Sequence, residues 1–172
     1  MNGIRIAGEE DLPEIAKVHV LAWYEAYSDL LQPSVLAAVT VESRLAAWQE
    51  WYETTDQALH VIERGNDIQG FIRTCPARNR GDPPTDFGEL THLYLHPSQI
   101  SKGAGHRLFE LAVSLCKSND YAGMLLWTIE GNVRARRFYE AHGMRVDGGR
   151  DDEPAWLGEG VYEVRYVLPF DA

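Results

Sequence analysis

"HPSQISKGAGHRLFELAVSLC", residues 96–116, sets two glycines, Gly103 and Gly105, between an apolar strand-like run and an amphipathic stretch. The run ahead of it, "GELTHLYLH" (88–96), reads as a strand that ends at His96-Pro97. Behind it, Leu108, Leu111, Ala112, Leu115 and Cys116 recur at helical spacing and give a helix from about Ala104 one apolar face. Strand, bare loop and helix in that order aim several free amide N–H groups and the positive end of a helix dipole at one spot, which is an anion site of the kind that takes phosphate. A Cβ at Gly103 or Gly105 would hold the anion off the backbone. Lys102, His106 and Arg107 add local positive charge. The loop is not a dinucleotide fingerprint, which would need Gly or Ala where Leu108 stands, and it is not a P-loop, since no GK[ST] is present.

Outward from this stretch the chain alternates between helical and strand periods. "GIRIA" (3–7) is a short strand. It leads into a first helix with Leu12, Ile15, Val18 or His19, and Ala22 on one side, Asp11 as its cap and Pro13 in its first turn. Pro33 opens a second helical region, which "TVESRLAAWQEWYE" continues. "ALHVIERGNDIQGFIRTC" holds two strand runs around a hairpin turn at "RGND". Residues 76–87, with three prolines and no period, form a loop. "GMLLWTIE" (123–130) is a buried strand, and "NVRARRFYEAHG" is a helix capped by Asn132 and stopped by Gly143. "MRVDGG" and "VYEVRYVL" are closing strands, joined by a polar, glycine-bearing segment, 147–160. The order is mixed α and β with an antiparallel run in the middle.

A chain of 172 residues suits a single domain, 1–172, with one continuous core. No stretch approaches a membrane span and the amino end lacks a signal sequence, so the expected location is the cytoplasm, with no membrane partner. Cys75 and Cys116 make neither a metal-ligand spacing nor a disulfide framework, and no metal is expected. The formal net charge of −10 argues against a nucleic-acid partner and is compatible with a cationic substrate, as with many soluble enzymes. Five tryptophans and eight tyrosines, several in the first two helical regions, are more aromatic surface than a small core hides; a homodimer is expected.

At "LHPSQISKGAG" the chain resembles the GNAT-type N-acetyltransferases, with their V-x-P strand end, Q/R-x-x-G-x-G/A loop and helix. "LLWTIEGNVRARRFYEAHGM" is similar to the same family's later strand, asparagine and A-x-x-F-Y-E-x-x-G-F helix, matched at Asn132, Phe138, Tyr139, Glu140 and Gly143. "IRIAGEEDLPEI" with "AWYEAY" looks like its amino end. Ile100 and Met144 depart from the pattern, where the family usually has Gln or Arg and Phe.

The resemblance implies an α+β fold: a mostly antiparallel mixed sheet of about seven strands flanked by about four helices, with strands four and five splayed apart. It implies acyl transfer from acetyl-CoA to a small-molecule or peptide amine in a ternary complex. The alternative is a non-catalytic acyl-CoA binding or sensing domain on the same fold. The pantetheine arm would pair with Leu93, Tyr94 and Leu95, and the pyrophosphate would rest on Ser101, Lys102, Gly103, Ala104, Gly105 and His106, with Asn132 on the other side. Arg136, with Arg134 and Arg137, would meet the 3′-phosphate. Tyr139 matches the family's general acid for the departing thiolate. Glu89, fourteen residues before Gly103 on the fourth strand, is the base candidate, with Asp82 and Asp86 as substitutes. His92, three residues on, points away from Glu89 if the strand simply alternates. Trp23, Tyr24, Tyr27 and Trp51 would border the acceptor.

Overall fold

The strand and turn signals of the middle of the chain resolve into one sheet. In the computed structural model, which describes residues 2–53, 57–78, 80, 82–151, 157–158 and 160–170, seven strands are hydrogen-bonded side by side. They are β1 (Asn2–Ile6), β2 (Ala58–Arg64), β3 (Asp67–Pro76), β4 (Phe87–Leu95), β5 (Gly123–Ile129), β6 (Arg145–Asp151) and β7 (Glu163–Pro169), in the order β1-β2-β3-β4-β5-β7-β6. Every neighbouring pair is antiparallel except β4 and β5. Gly65 takes φ +66° in the turn between β2 and β3, a conformation in which a Cβ would be strained.

Beside the expectation of about four helices, the described residues form five on the sheet: α1 (Leu12–Tyr27), α2 (Pro33–Ala37), α3 (Val41–Tyr52), α4 (Ala104–Ser118) and α5 (Val133–Ala141). The extra one arises because the region opened by Pro33 breaks before Thr40. There the Ser43 amide donates to Thr40 Oγ1 at 3.1 Å and the Thr40 amide donates to Ser43 Oγ at 3.0 Å, which starts a new helix. Asp11 precedes α1 but gives it no side-chain cap. Its carboxylate instead accepts the Gly8 amide at 2.8 Å and pairs with Arg5 at 2.6 Å, tying the helix start back to β1. Asn132 does cap α5, accepting the Ala135 amide at 3.2 Å, and Gly143 ends that turn at φ +82°.

α1 and α3 cover one face of the sheet, burying Trp48 against Ile15, Val61 and Phe71. α4 covers the other, with Leu108, Phe109 and Ala112 on Ile72, Met124 and Leu126. Each such side chain contributes roughly 1.5–3 kcal/mol of apolar burial, so both faces are firmly held and the irregularities lie between them. Trp23 and Trp48 are buried inside the chain, while Tyr24 and Tyr52 stay exposed; the aromatic surface expected to seat a second copy is reduced to the latter kind. Among the described residues no helix is long and apolar enough to cross a membrane. β6 runs on to Asp151, past the start of the expected connector, and much of 152–160, with Trp156, lies outside the described residues.

Two irregularities in β4 position everything that follows. Its parallel pairing with β5 is confined to Phe87, Gly88 and Glu89 against Gly123, Met124 and Leu125, after which the strands part. On its other edge the register with β3 slips: Leu90 faces Thr74 and His92 faces Arg73, leaving Thr91 as an extra residue. The bulge inverts the simple alternation. Leu90, Leu93 and Leu95 turn toward α4, whereas Glu89, His92 and Tyr94 share the opposite face, so His92 lies on Glu89's side and not away from it.

Candidate active site

The wedge between β4 and β5 opens into a groove of about 450 Å³ walled by Leu93, Tyr94 and Leu95 on one side and α5 on the other. It ends at the glycine loop, where Ser101 (φ +61°) and Gly103 (φ +83°) both take left-handed conformations. The turn leaves the amides of Ser101, Gly103, Ala104, Gly105 and His106 donating to no described residue. Gly103 faces open space, as an anion-facing position requires. Gly105 differs: a Cβ there would stand 3.3 Å from Leu95 Cδ1 and 3.6 Å from Phe138 Cε2, so its bareness serves the packing of α4 on β4 as well. Ser101, Gly103, Gly105 and His106 line the groove with Ile100, whereas Ala104 is buried beneath it and Lys102 points to solvent.

Across the groove stand Asn132, Arg134, Phe138 and Tyr139. Arg134 reaches Glu25 at 3.1 Å. Arg136 does not border the groove, because its guanidinium donates to the Tyr166 hydroxyl at 3.0 Å and to the Glu130 carbonyl at 3.1 Å. The Tyr139 hydroxyl makes no hydrogen bond to a described residue. Burial first, and the neighbouring Tyr27 second, push this phenol well above its ordinary value, so it stays protonated through the alkaline range.

A second cavity, of about 870 Å³, lies on the α1 and α3 face of β4. It meets the groove at four shared residues, Tyr27, Thr91, Tyr94 and Trp127. The Tyr27 and Tyr94 hydroxyls stand 3.4 Å apart at that junction. Trp23 and Trp51 border the second cavity, but Tyr24 turns outward and donates to the Leu36 carbonyl at 3.0 Å. Glu89 is only 1% exposed and sits in the cavity wall. Its two oxygens accept from Arg78: the guanidinium Nε at 3.1 Å to each, Nη2 at 2.5 Å to Oε1, and the backbone amide at 3.0 Å to Oε2. Neither Asp82 nor Asp86 borders either space. His19 and His92 face the cavity as neutral imidazoles, since burial, with Arg44 behind it, pushes His19 down to about 3, and burial with His19 and the arginines pushes His92 well below its ordinary value. Sequence reading missed Arg44, Arg73, Arg78, Arg80 and Glu163, which this cavity collects from α3, β3, the 76–87 loop and β7.

A splayed parallel pair leading to an amide-lined helix start defines a site for an extended, anionic ligand, and the comparisons with known proteins say which class carries it. The profile of the acetyltransferase (GNAT) family matches residues 20–144, and the chain belongs to that family. A Mycobacterium tuberculosis protein described as a probable N-acetyltransferase is 27% identical over 96% of this chain and 92% of its own. Among solved structures, the PaiA N-acetyltransferase of Thermoplasma acidophilum in complex with coenzyme A superposes with a TM-score of 0.75 at 18% identity, covering 99% of each chain. YncA of Salmonella typhimurium, solved with its cofactor acetyl-CoA, superposes with a TM-score of 0.73 at 19% identity, covering 100% of this chain and 95% of that one.

Proposed function

We propose that this chain transfers the acetyl group of acetyl-CoA to a primary amine by direct attack, with donor and acceptor bound together. One observation carries the reading: two separate spaces, one ending on the amide-lined loop, adjoin at the shared lining residues Tyr27, Thr91, Tyr94 and Trp127. Acetyl-CoA supplies an activated acyl group and a thiolate leaving group. The loop amides hold its pyrophosphate, and the free edge of β4 pairs with its pantetheine arm. Tyr139 faces the groove with an uncommitted proton for the thiolate. Glu89, whose two oxygens accept four contacts from Arg78, gives up one of them to a water that carries the amine's proton to it. A route through an acyl-cysteine has little support. Cys75 and Cys116 border neither space, and burial raises both thiols, Cys116 to about 11, so neither is a ready thiolate.

The test is steady-state thiol release with acetyl-CoA and an amine panel. Intersecting double-reciprocal lines are expected. Parallel lines would overturn direct attack, and coenzyme A binding without thiol release from any amine would favour the sensing domain. A separate measurement addresses the loop. Gly103→Val forces a β-branched residue to φ +83° and turns the flanking amides, so calorimetry should show acetyl-CoA binding weakened at least about tenfold in a protein that still folds. Unchanged affinity would remove the loop from the site.

A further inference from the structure

The second cavity holds four arginines and two glutamates, in a chain whose net charge is −10. Two of the arginines are accounted for. Arg78 is held by Glu89, and Arg80 is shared between Asp151, at 2.6 Å, and Glu163. The other two are not. Arg73, on β3 and mostly buried, donates Nε to the neutral side-chain amide of Gln57 and lies over the Trp51 ring at 5.5 Å, with no carboxylate in ion-pair range among the described residues. Arg44, on α3, has no ion pair among the described residues, and its buried Nε has no hydrogen-bond partner among them. Withdrawing guanidinium groups from water without a counter-ion is costly, and such a cost persists where a ligand removes it. Burial does most to lower both histidines; Arg44 adds to it at His19, and His19, Arg73, Arg78 and Arg44 add to it at His92, where both unpaired arginines therefore act on one cavity-facing ring. Neither arginine borders the groove, so they are not placed for the phosphates of the donor.

Resting on the acetyltransfer reading above, we propose that the acceptor amine also carries a carboxylate or a comparable oxyanion, bound by Arg44 and Arg73, while its nitrogen reaches the junction at Thr91 and Tyr94. The guanidinium fork matches the oxygens of such a group, and the anion would supply the charge that no described residue supplies. The same positive surroundings disfavour an ammonium, which leaves more of the bound amine neutral and nucleophilic. They also oppose a polycation, although the acidic balance of the whole chain is compatible with one.

The test titrates the protein, saturated with coenzyme A, with α-amino acids, β-alanine, γ-aminobutyrate and 2-aminoethylphosphonate, each beside an uncharged amide or ester counterpart, and with spermidine. Binding is read by calorimetry and turnover by thiol release. At least one anionic probe should bind at least about tenfold tighter than its neutral counterpart. Arg73→Gln and Arg44→Gln, each checked for folding by its unfolding temperature, should bring that ratio toward one, and Arg73→Lys should retain part of it. Arg44 is the half-buried one of the pair, so its variant keeps the test open if Arg73→Gln does not fold. The proposal is overturned if neutral amines or spermidine bind as well as every anionic probe, if no probe binds at millimolar concentration, or if the ratio survives in folded Arg44→Gln. Anion-selective binding without thiol release would instead overturn acetyltransfer and leave the anion site standing.

Discussion

Tyr139→Phe is expected to lower kcat on the order of 10²-fold while the KM for acetyl-CoA stays within about twofold. The substitution removes one hydroxyl and leaves the ring, which packs against Phe109, Phe138 and Tyr166, in place. No protein partner is stranded by the change, because the hydroxyl has none among the described residues. A loss confined to kcat therefore reports a contact made as the carbon–sulfur bond breaks. The raised phenol also fixes a sign. The active form is protonated, and burial moves its loss of a proton above the ordinary phenol range near pH 10, so wild-type kcat should not fall between about pH 8 and 10 through this group. A buried phenol is a weaker acid than a free one, but a thiolate released into the same apolar groove is a stronger base than in water, so the transfer keeps its drive. Full activity in Tyr139→Phe would return the residue to the core.

Glu89→Gln should lower kcat/KM at neutral pH by roughly 10- to 100-fold, since a carboxamide cannot take the amine's proton. It also leaves Arg78 without its carboxylate. The guanidinium side of that pair is 50% exposed and water recovers much of the loss, so the stability cost is about 1–2 kcal/mol, or a few degrees in Tm for a chain of this size. An unchanged rate would pass the proton to bulk water; His92, which the bulge at Thr91 brings to the same face, is a poor acceptor because burial pushes its imidazole well below the ordinary value.

Elements that carry their own signals were legible. The glycine loop and α4 follow from spacing, the β2–β3 turn from "RGND", and α5 from the Asn132 cap and the Gly143 stop. What escaped depends on how the elements dock. Nothing in "GELTHLYL" marks Thr91 as an extra residue, because any member of a strand-like run serves equally well as the bulge; strict alternation then misplaces His92. Arg134 and Arg136 lie about 200° apart around a helix, so only one can face the groove, and the seating of α5 on Tyr166 decides which. Arg44 and Arg73 lie on different elements, and no local pattern announces that they share a cavity. The 76–87 loop was recognised as a loop, yet without a period it could not show that Arg78 and Arg80 turn inward onto Glu89 and Glu163.

The parting of β4 from β5 after Glu89 gives the sheet a seam that only a guest of strand-like shape can close. The pantetheine arm carries amides at intervals that suit such an edge, and it keeps every one of them after the acetyl group has left. On the reading proposed above, spent coenzyme A would therefore pair with this edge of β4 nearly as well as the loaded form. Competition of free coenzyme A with acetyl-CoA is the expected consequence.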